Sequence, residues 1–189
     1  PDTLVELDAL VTELEASSDV KVVVLDSADA DFFLAHWDVA PTAQQTRDGN
    51  AAPPWLDIGL RLSKAPVVSI ASIRGRARGI GSEIALACDL RFASRERAVF
   101  GQPEVGVGLV PGGGGMERLP PLVGRARALE IVLGAGDFDA DTAERYGWIN
   151  RALPDAGLDA FVDELARRIA SFDKQALATA KRLVDRNAL

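Results

Sequence analysis

Apolar positions along the chain alternate between the spacing of helices and the continuous runs of buried strands. A stripe of leucine and valine recurs every three or four positions and predicts a helix over residues 3–17. The next apolar run, at 20–27, is rich in valine and bounded by polar residues, which predicts a buried strand. Residues 38–54 show little periodicity and many turn-forming residues, which predicts a mobile loop.

The same two patterns continue through the rest of the chain. Further apolar runs predict strands at 65–72, 88–93 and 98–100. Helical spacing predicts helices at 55–63, 116–122, 125–134 and 140–145, followed by a mostly helical last third.

Strands separated by helices indicate an α/β protein with parallel strands. The chain shows no internal repeat and no linker between domains. We therefore predict a single domain over residues 1–189, with its core at 1–150 and a C-terminal helical region at 151–189.

Composition narrows the classes of partner. The net charge of −7 argues against nucleic acid, although Arg74, Arg76 and Arg78 leave an anionic small molecule open as a ligand. The single cysteine, Cys88, excludes an internal disulfide and is expected to be buried as a small apolar residue. The single histidine, His36, cannot build a multi-histidine site, so no metal is predicted. Without a long apolar run or a signal-peptide pattern, we expect a cytoplasmic protein with no membrane partner.

The segment RGRARGIGSEIALACDLRF at 74–92 places glycines before a short helix and raises three possible chemistries. A dinucleotide site is disfavoured, because Ile84 replaces the third glycine of its fingerprint and Asp89 comes too early for the ribose acid. A serine hydrolase is disfavoured, because Ser82 lacks the nucleophile elbow and His36 fits a structural loop residue better than a base. The third chemistry uses the helix start itself.

A helix start presents free main-chain N–H groups, which suit an oxyanion that develops during a reaction. Glu83 lies in the first turn of the predicted helix, and Glu104 lies in FGQPEVGVGL, also beside glycines. Taken singly, Glu83 could serve only the helix dipole and Glu104 could be a surface loop acid. Together, the two carboxylates could converge on one pocket as an acid–base pair.

These segments resemble those of the crotonase superfamily, the enoyl-CoA hydratase/isomerase family. KAPVVSIASIRGRARGIGSEIALACDLRFAS is similar to the strand, glycine-rich turn and helix of the family. AVFGQPEVGVGLVPGGGGMERLPPLVGRARALEIVL and DADTAERYGWINRALP resemble its later segments, so that the likeness covers almost the whole chain.

The resemblance implies a crotonase fold, a spiral of repeated β-β-α units with C-terminal helices, assembled as a homotrimer or a dimer of trimers. The family pattern also includes a strand pair before the first helix and further helices after the last one. Since the chain begins at the first helix and stops before those last helices, we expect both ends of the pattern to be absent from it.

The resemblance also assigns the site. It implies an acyl-CoA thioester as substrate, no separate cofactor, and an enolate held by the main-chain N–H groups of Trp37 and Ile80. It places the two catalytic acids at Glu83 and Glu104, with Glu83 activating water and protonated Glu104 supplying the proton at Cα. The predicted substrate-binding residues are Ala35, Asp38, Gly79 and Gly81. Trp37 and Ile80 stand where the family usually has small residues.

Retention of both acids favours an enoyl-CoA hydratase. The first alternative is an enoyl-CoA isomerase, with Glu104 as the base that moves the proton and Glu83 in a supporting role. The second alternative is an acyl-CoA-binding subunit without catalysis, suggested by the bulk of Trp37 and by the missing ends. Such a subunit would bind coenzyme A without converting any enoyl-CoA.

Overall fold

The structure is a computed structural model that describes residues 2–34 and 54–187. The loop predicted at 38–54 therefore lies outside the described residues, apart from its last position. Within the described ranges, every helix is too short or too polar to cross a membrane.

Eight α-helices and eight strands form the described part of the chain. The helices are α1 (Asp2–Ala16), α2 (Pro54–Lys64), α3 (Ile80–Ala87), α4 (Gly115–Val123), α5 (Arg125–Gly134), α6 (Ala140–Tyr146), α7 (Asp155–Ala170) and α8 (Lys174–Asn187). The strands are β1 (Val22–Leu25), β2 (Phe32–Leu34), β3 (Val68–Ile73), β4 (Arg76–Arg78), β5 (Leu90–Ser94), β6 (Val99–Gly101), β7 (Phe138–Asp139) and β8 (Arg151–Leu153). A short 3₁₀ helix, Glu104–Val107, follows β6.

The strands form two four-stranded sheets, and the chain contributes to them by turns. The first sheet has the order β1-β3-β5-β8 and the second has the order β2-β4-β6-β7. Of each two consecutive strands from β1 to β6, the first joins the first sheet and the second joins the second sheet. The chain therefore follows a spiral of β-β units. All pairings are parallel except that of β6 with β7, which is antiparallel. The predicted α/β class with parallel strands is confirmed.

The core forms where the helices cover these sheets. The apolar stripe of α1 buries Val11 and Leu14, and α2 buries Leu62 against the same cluster. The guanidinium of Arg61 on α2 bonds the carboxylates of Asp8 and Glu15 on α1 at 2.6 and 2.7 Å, which holds the two helices together at the surface. The helix predicted at 3–17 is therefore stabilised by packing of its apolar face.

Strand β1 corrects the prediction of a buried strand at 20–27. Among the described residues it lies at the edge of the first sheet, where its one partner is β3. Val24 is 38% exposed, whereas Ile70 of β3 is fully buried because β3 has a strand on each side. A run of valines is typical of strands in general and does not distinguish a central strand from an edge strand.

Helix α8 is fixed to the first sheet by a charged network. Lys181 Nζ lies 2.8 Å from Asp89 Oδ2 and also donates to the main-chain oxygen of Val67. The same Asp89 oxygen accepts from the main chain and the hydroxyl of Ser69. Asp89 therefore links α8 to β3 and the turn before β5. The assignment of 151–189 as a separate C-terminal helical region of one domain stays a prediction.

Gly81 is required where α3 crosses the end of β2. A Cβ at this position would lie 2.6 Å from the main-chain oxygen of Leu34, which cannot move without distorting the strand. We expect Gly81→Ala to lower the free energy of unfolding by about 1–3 kcal/mol, as overpacked sites do. Denaturant titration measures this change.

The matched control is Gly157→Ala on α7, where an added Cβ would meet nothing within 4 Å. That change is expected to leave the stability unchanged or to raise it by up to about 1 kcal/mol. Equal stability of the Gly81→Ala protein and the parent would contradict the close approach of α3 to Leu34.

Candidate active site

The start of α3 forms one wall of the site. Gly79 precedes this helix with a φ of +54°, a conformation that favours glycine, and its N–H donates to the carbonyl of Gly101 at 3.1 Å. Ile80 is then the first residue of the helix, and its N–H has no acceptor within the helix. This position suits the predicted role of the Ile80 N–H as an oxyanion donor, which stays a prediction.

Glu83 lies in the first turn of α3 with its carboxylate inside the protein. It is 2% exposed. Its Oε1 accepts from the main-chain N–H groups of Gly113 and Gly115 at 2.7 and 3.1 Å, and its Oε2 accepts from the indole Nε1–H of Trp55 at 3.0 Å. Three donors offset the cost of burying this polar group. Glu83 is therefore a buried hydrogen-bond acceptor, and interaction with the helix dipole alone does not describe its role.

Glu104 begins the 3₁₀ helix and is half-buried. The pKa of its carboxyl is raised to about 7, mainly by burial; the hydrogen bond from its own main-chain N–H lowers the pKa, and the negative charge of Glu83 adds to the rise. The two acids are thus close enough to interact electrostatically. One is surrounded by donors that suit an anion, and the other can keep a proton near neutral pH.

Gln102 links Glu104 to α3. Its side chain is fully buried. With the amide nitrogen turned toward Glu104, it lies 3.1 and 3.2 Å from the two carboxyl oxygens. The other end of the amide lies 3.4 Å from the hydroxyl of Ser82, so Gln102 bridges Ser82 of α3 and Glu104.

Packing also explains why Gly79 and Gly81, the glycines predicted to bind substrate, have no side chain. A Cβ at Gly79 would lie 3.1 Å from Glu104 Oε1, which brings the turn before α3 directly against the second acid. The close approach of Gly81 to Leu34 brings α3 against the end of β2, immediately before the segment predicted to complete the oxyanion site. Their roles in substrate binding stay predictions.

Several predicted site residues are not part of the structural description. Ala35, Trp37 and Asp38 lie outside the described residues, and so does His36. The Trp37 N–H as second oxyanion donor and the contacts of Ala35 and Asp38 with substrate therefore stay predictions.

The arginines of 74–78 have partners within the protein. Arg74 bonds Asp155 and Asp159 at 2.9 and 2.6 Å, and Arg78 bonds Asp137 at 2.6 Å. The Arg76 guanidinium lies 5.5 Å from the centre of the Phe32 ring. These contacts hold the segment between β3 and β4 against its surroundings, and binding of an anionic ligand here stays a prediction.

Cys88 has the structural role predicted for it. It is buried, and burial raises the pKa of its thiol to about 12, so the reactive thiolate is disfavoured. In the described part of the chain, no three of the His, Cys, Asp and Glu side chains are grouped so as to hold a metal ion.

Trp55 and the main chain at 113–115 are parts of the site that no sequence signal marked. Trp55 is separated from Glu83 by 28 residues and belongs to a helix predicted only from its spacing of apolar residues. Gly113 lies in a run of glycines that could equally be an ordinary loop. The one indirect signal is the glycine-rich segment after Glu104, since glycines allow the main chain to approach a buried group closely.

Comparison with known proteins agrees with this geometry. A family model described as enoyl-CoA hydratase/isomerase matches residues 1–188. The short-chain-enoyl-CoA hydratase of Clostridium acetobutylicum is 36% identical over 189 residues, which cover 98% of this chain and 71% of that protein. The crotonyl-CoA hydratase of Syntrophomonas wolfei is 34% identical over 184 residues, which cover 95% of this chain and 70% of that protein.

Solved structures show the same relationship. A candidate enoyl-CoA hydratase from Streptomyces avermitilis superposes with a TM-score of 0.91 and 49% identity, over 100% of this chain and 70% of that one. An enoyl-CoA hydratase from Bacillus anthracis gives a TM-score of 0.90 and 31% identity, over 97% of this chain and 72% of that one.

The spiral of two sheets and the buried acids define an enzyme with the crotonase fold. The chain belongs to the enoyl-CoA hydratase/isomerase family, and its hydratase relatives identify its activity as the hydration of enoyl-CoA. Its substrate is accordingly an acyl-CoA thioester. The family and the activity predicted from the sequence are confirmed.

Proposed function

We propose that Glu83 and Glu104 together add water across the α,β double bond of a short-chain enoyl-CoA thioester. The observation that carries this proposal is the contrast between two neighbouring carboxyl groups. The carboxylate of Glu83 accepts three hydrogen bonds, whereas the pKa of the Glu104 carboxyl is raised to about 7, mainly by burial. A carboxylate held by three donors, beside a carboxyl group that keeps its proton near neutral pH, suits a base and an acid in one reaction. The short-chain preference rests on the names of the two hydratase relatives.

In the proposed reaction, Glu83 orients a water molecule and accepts its proton as the oxygen attacks Cβ. The electrons of the double bond move toward the thioester carbonyl, whose oxygen gains negative charge as an enolate. Glu104 then donates its proton to Cα, which completes the hydroxyacyl-CoA product. The proton taken by Glu83 and the proton given by Glu104 balance, and exchange with solvent restores both groups.

The enolate oxygen would be held by the N–H groups of Ile80 and Trp37. The Ile80 N–H is free of helical bonding because it begins α3, and the field of the helix end adds to its effect. Loss of one oxyanion donor typically costs about 10²–10³ in rate. This main-chain role explains how a bulky isoleucine can stand at a site position.

We propose no separate cofactor, because water and two carboxyl groups account for every proton and electron pair. We also propose a homotrimer or a dimer of trimers. Large apolar side chains are exposed along one stretch of the chain, which is typical of an association surface. Those side chains belong to Val105, Val107, Leu109, Val110, Met116, Leu122, Leu129 and Leu133. The predicted cytoplasmic location stays a prediction.

The function is tested with enoyl-CoA thioesters of several chain lengths, by the loss of absorbance of the conjugated thioester. We expect hydration with the highest kcat/KM on short acyl groups. An isomerase would instead move the double bond without adding water, and mass spectrometry separates the two products. Binding of coenzyme A thioesters without turnover of any of them would contradict the proposal and favour a binding subunit.

The raised pKa of Glu104 predicts the pH dependence of this activity. Its carboxyl keeps the required proton below about pH 7 and loses it above. We therefore expect kcat/KM to decline above about pH 7 in proportion to the protonated fraction. Initial rates measured between pH 5 and pH 10 would show this limb, with circular dichroism as the control for folding. A rate that stays constant up to pH 9 would contradict the role of Glu104 as the acid.

A further inference from the structure

We infer that Trp55 is a positioning residue, which sets the direction of the Glu83 oxygen that receives the proton of water. This inference rests on the proposed role of Glu83 as the base. Trp55 is the second residue of α2, and its indole is the point at which this helix reaches the acid. The Nε1–H donates to Glu83 Oε2 at 3.0 Å.

The two oxygens of Glu83 are held differently. Oε1 accepts both main-chain N–H groups of the 113–115 turn and has no further capacity for a well-formed bond. Oε2 accepts the indole N–H and, as a carboxylate oxygen, has the capacity for one further hydrogen bond. The turn fixes the position of Oε1 and the indole fixes that of Oε2, so the two contacts together set the plane of the carboxylate. With the indole in place, a water molecule can bond Oε2 only along the remaining acceptor direction.

Gly113 shows that the structure is built around this contact. A Cβ at position 113 would overlap both the Cδ1 and Nε1 atoms of Trp55 and the Oε2 atom of Glu83. Gly113 has an ordinary negative φ, so its backbone conformation does not require glycine. The absence of a side chain is therefore needed for space, and the space is filled by the indole and the carboxylate together.

A purely structural role for Trp55 makes a different prediction. Its ring packs on the main core cluster, so removal of the ring could lower stability without any effect on the chemistry. The test therefore has to remove the N–H and keep the ring. Incorporation of 3-benzothienylalanine at position 55 does this, because sulfur replaces the N–H in a ring of nearly the same shape. Trp55→Phe is the genetically simpler companion variant.

We expect the benzothienyl variant to hydrate crotonyl-CoA with a kcat reduced about 10- to 100-fold, the range for a lost hydrogen bond to a charged group. Its KM should stay within about twofold of the parent value, since the indole bonds the enzyme's own acid. Its melting temperature should match that of the parent protein.

Asp57→Asn is the control on the same helix, since this side chain is 73% exposed and its ion pair with Arg61 is long, at 3.7 Å. It should leave kcat and KM unchanged. An active parent enzyme whose benzothienyl variant keeps the parent kcat, or loses activity through KM or stability alone, would overturn the inference about Trp55 alone. A parent protein that hydrates no enoyl-CoA would overturn the proposed function and this inference with it.

Discussion

Replacement of either Glu83 or Glu104 by glutamine is expected to reduce the hydration of crotonyl-CoA by about 10³-fold, while binding of the thioester is largely kept. Each glutamine fills the space of the acid and removes its ability to transfer a proton, a contribution of about 10²–10⁴ in rate. Glu83→Gln loses the base for water, and Glu104→Gln loses the acid for Cα. Initial rates give kcat, and calorimetric titration with a saturated acyl-CoA gives the affinity.

The double variant sharpens this prediction. If the two acids act in one reaction, the combined replacement should cost far less than the product of the two single losses. Glu104→Gln should also abolish the decline of any residual rate above about pH 7, since the group responsible for that limb is gone. Near-parental activity in either single variant would contradict the assignment of the pair.

Gly113→Ala is expected to have the next largest effect, a loss of about 100-fold or more in kcat. The added Cβ would overlap the indole of Trp55 and the carboxylate of Glu83, so at least one of them has to move. Displacement of a reacting group by about 1 Å costs on the order of 10² in rate. Steady-state kinetics on crotonyl-CoA measures the loss, and denaturant titration shows how much of it comes with unfolding.

Gly157→Ala again supplies the control, because an added Cβ there meets nothing within 4 Å. It should keep the parent rate. Full activity in the Gly113→Ala protein would show that neither the indole nor Glu83 is held as the structure places it.

Much of the fold follows from periodic patterns alone. The helices predicted at 116–122, 125–134 and 140–145 differ from α4, α5 and α6 by one residue or less at either end. Four short strands were not predicted. β2, β4, β7 and β8 have only two or three residues each, so alternation gives little signal, and they are defined by their neighbours in the sheets; β6 is as short and was predicted.

The acid pair illustrates what sequence can reveal about the site. Glu83 and Glu104 stand out in the sequence because each is a charged residue in an apolar, glycine-rich segment. In the structure, the carboxylate of Glu83 contacts the 113–115 turn and the carboxyl of Glu104 contacts Gln102. The partners of Glu83 are different in kind. Two are main-chain N–H groups, which every residue except proline carries, so the glycine run gives only a weak signal; Trp55 belongs to a distant helix that only tertiary packing brings to the site.

The most direct test of hydration by Glu83 and Glu104 is to identify the product formed from crotonyl-CoA in water labelled with ¹⁸O. The predicted result is 3-hydroxybutyryl-CoA with one ¹⁸O at Cβ, formed rapidly by the parent enzyme and about 10³-fold more slowly by Glu83→Gln. Release of free coenzyme A with a labelled carboxylate, or equal rates of labelling by parent and variant, would contradict it.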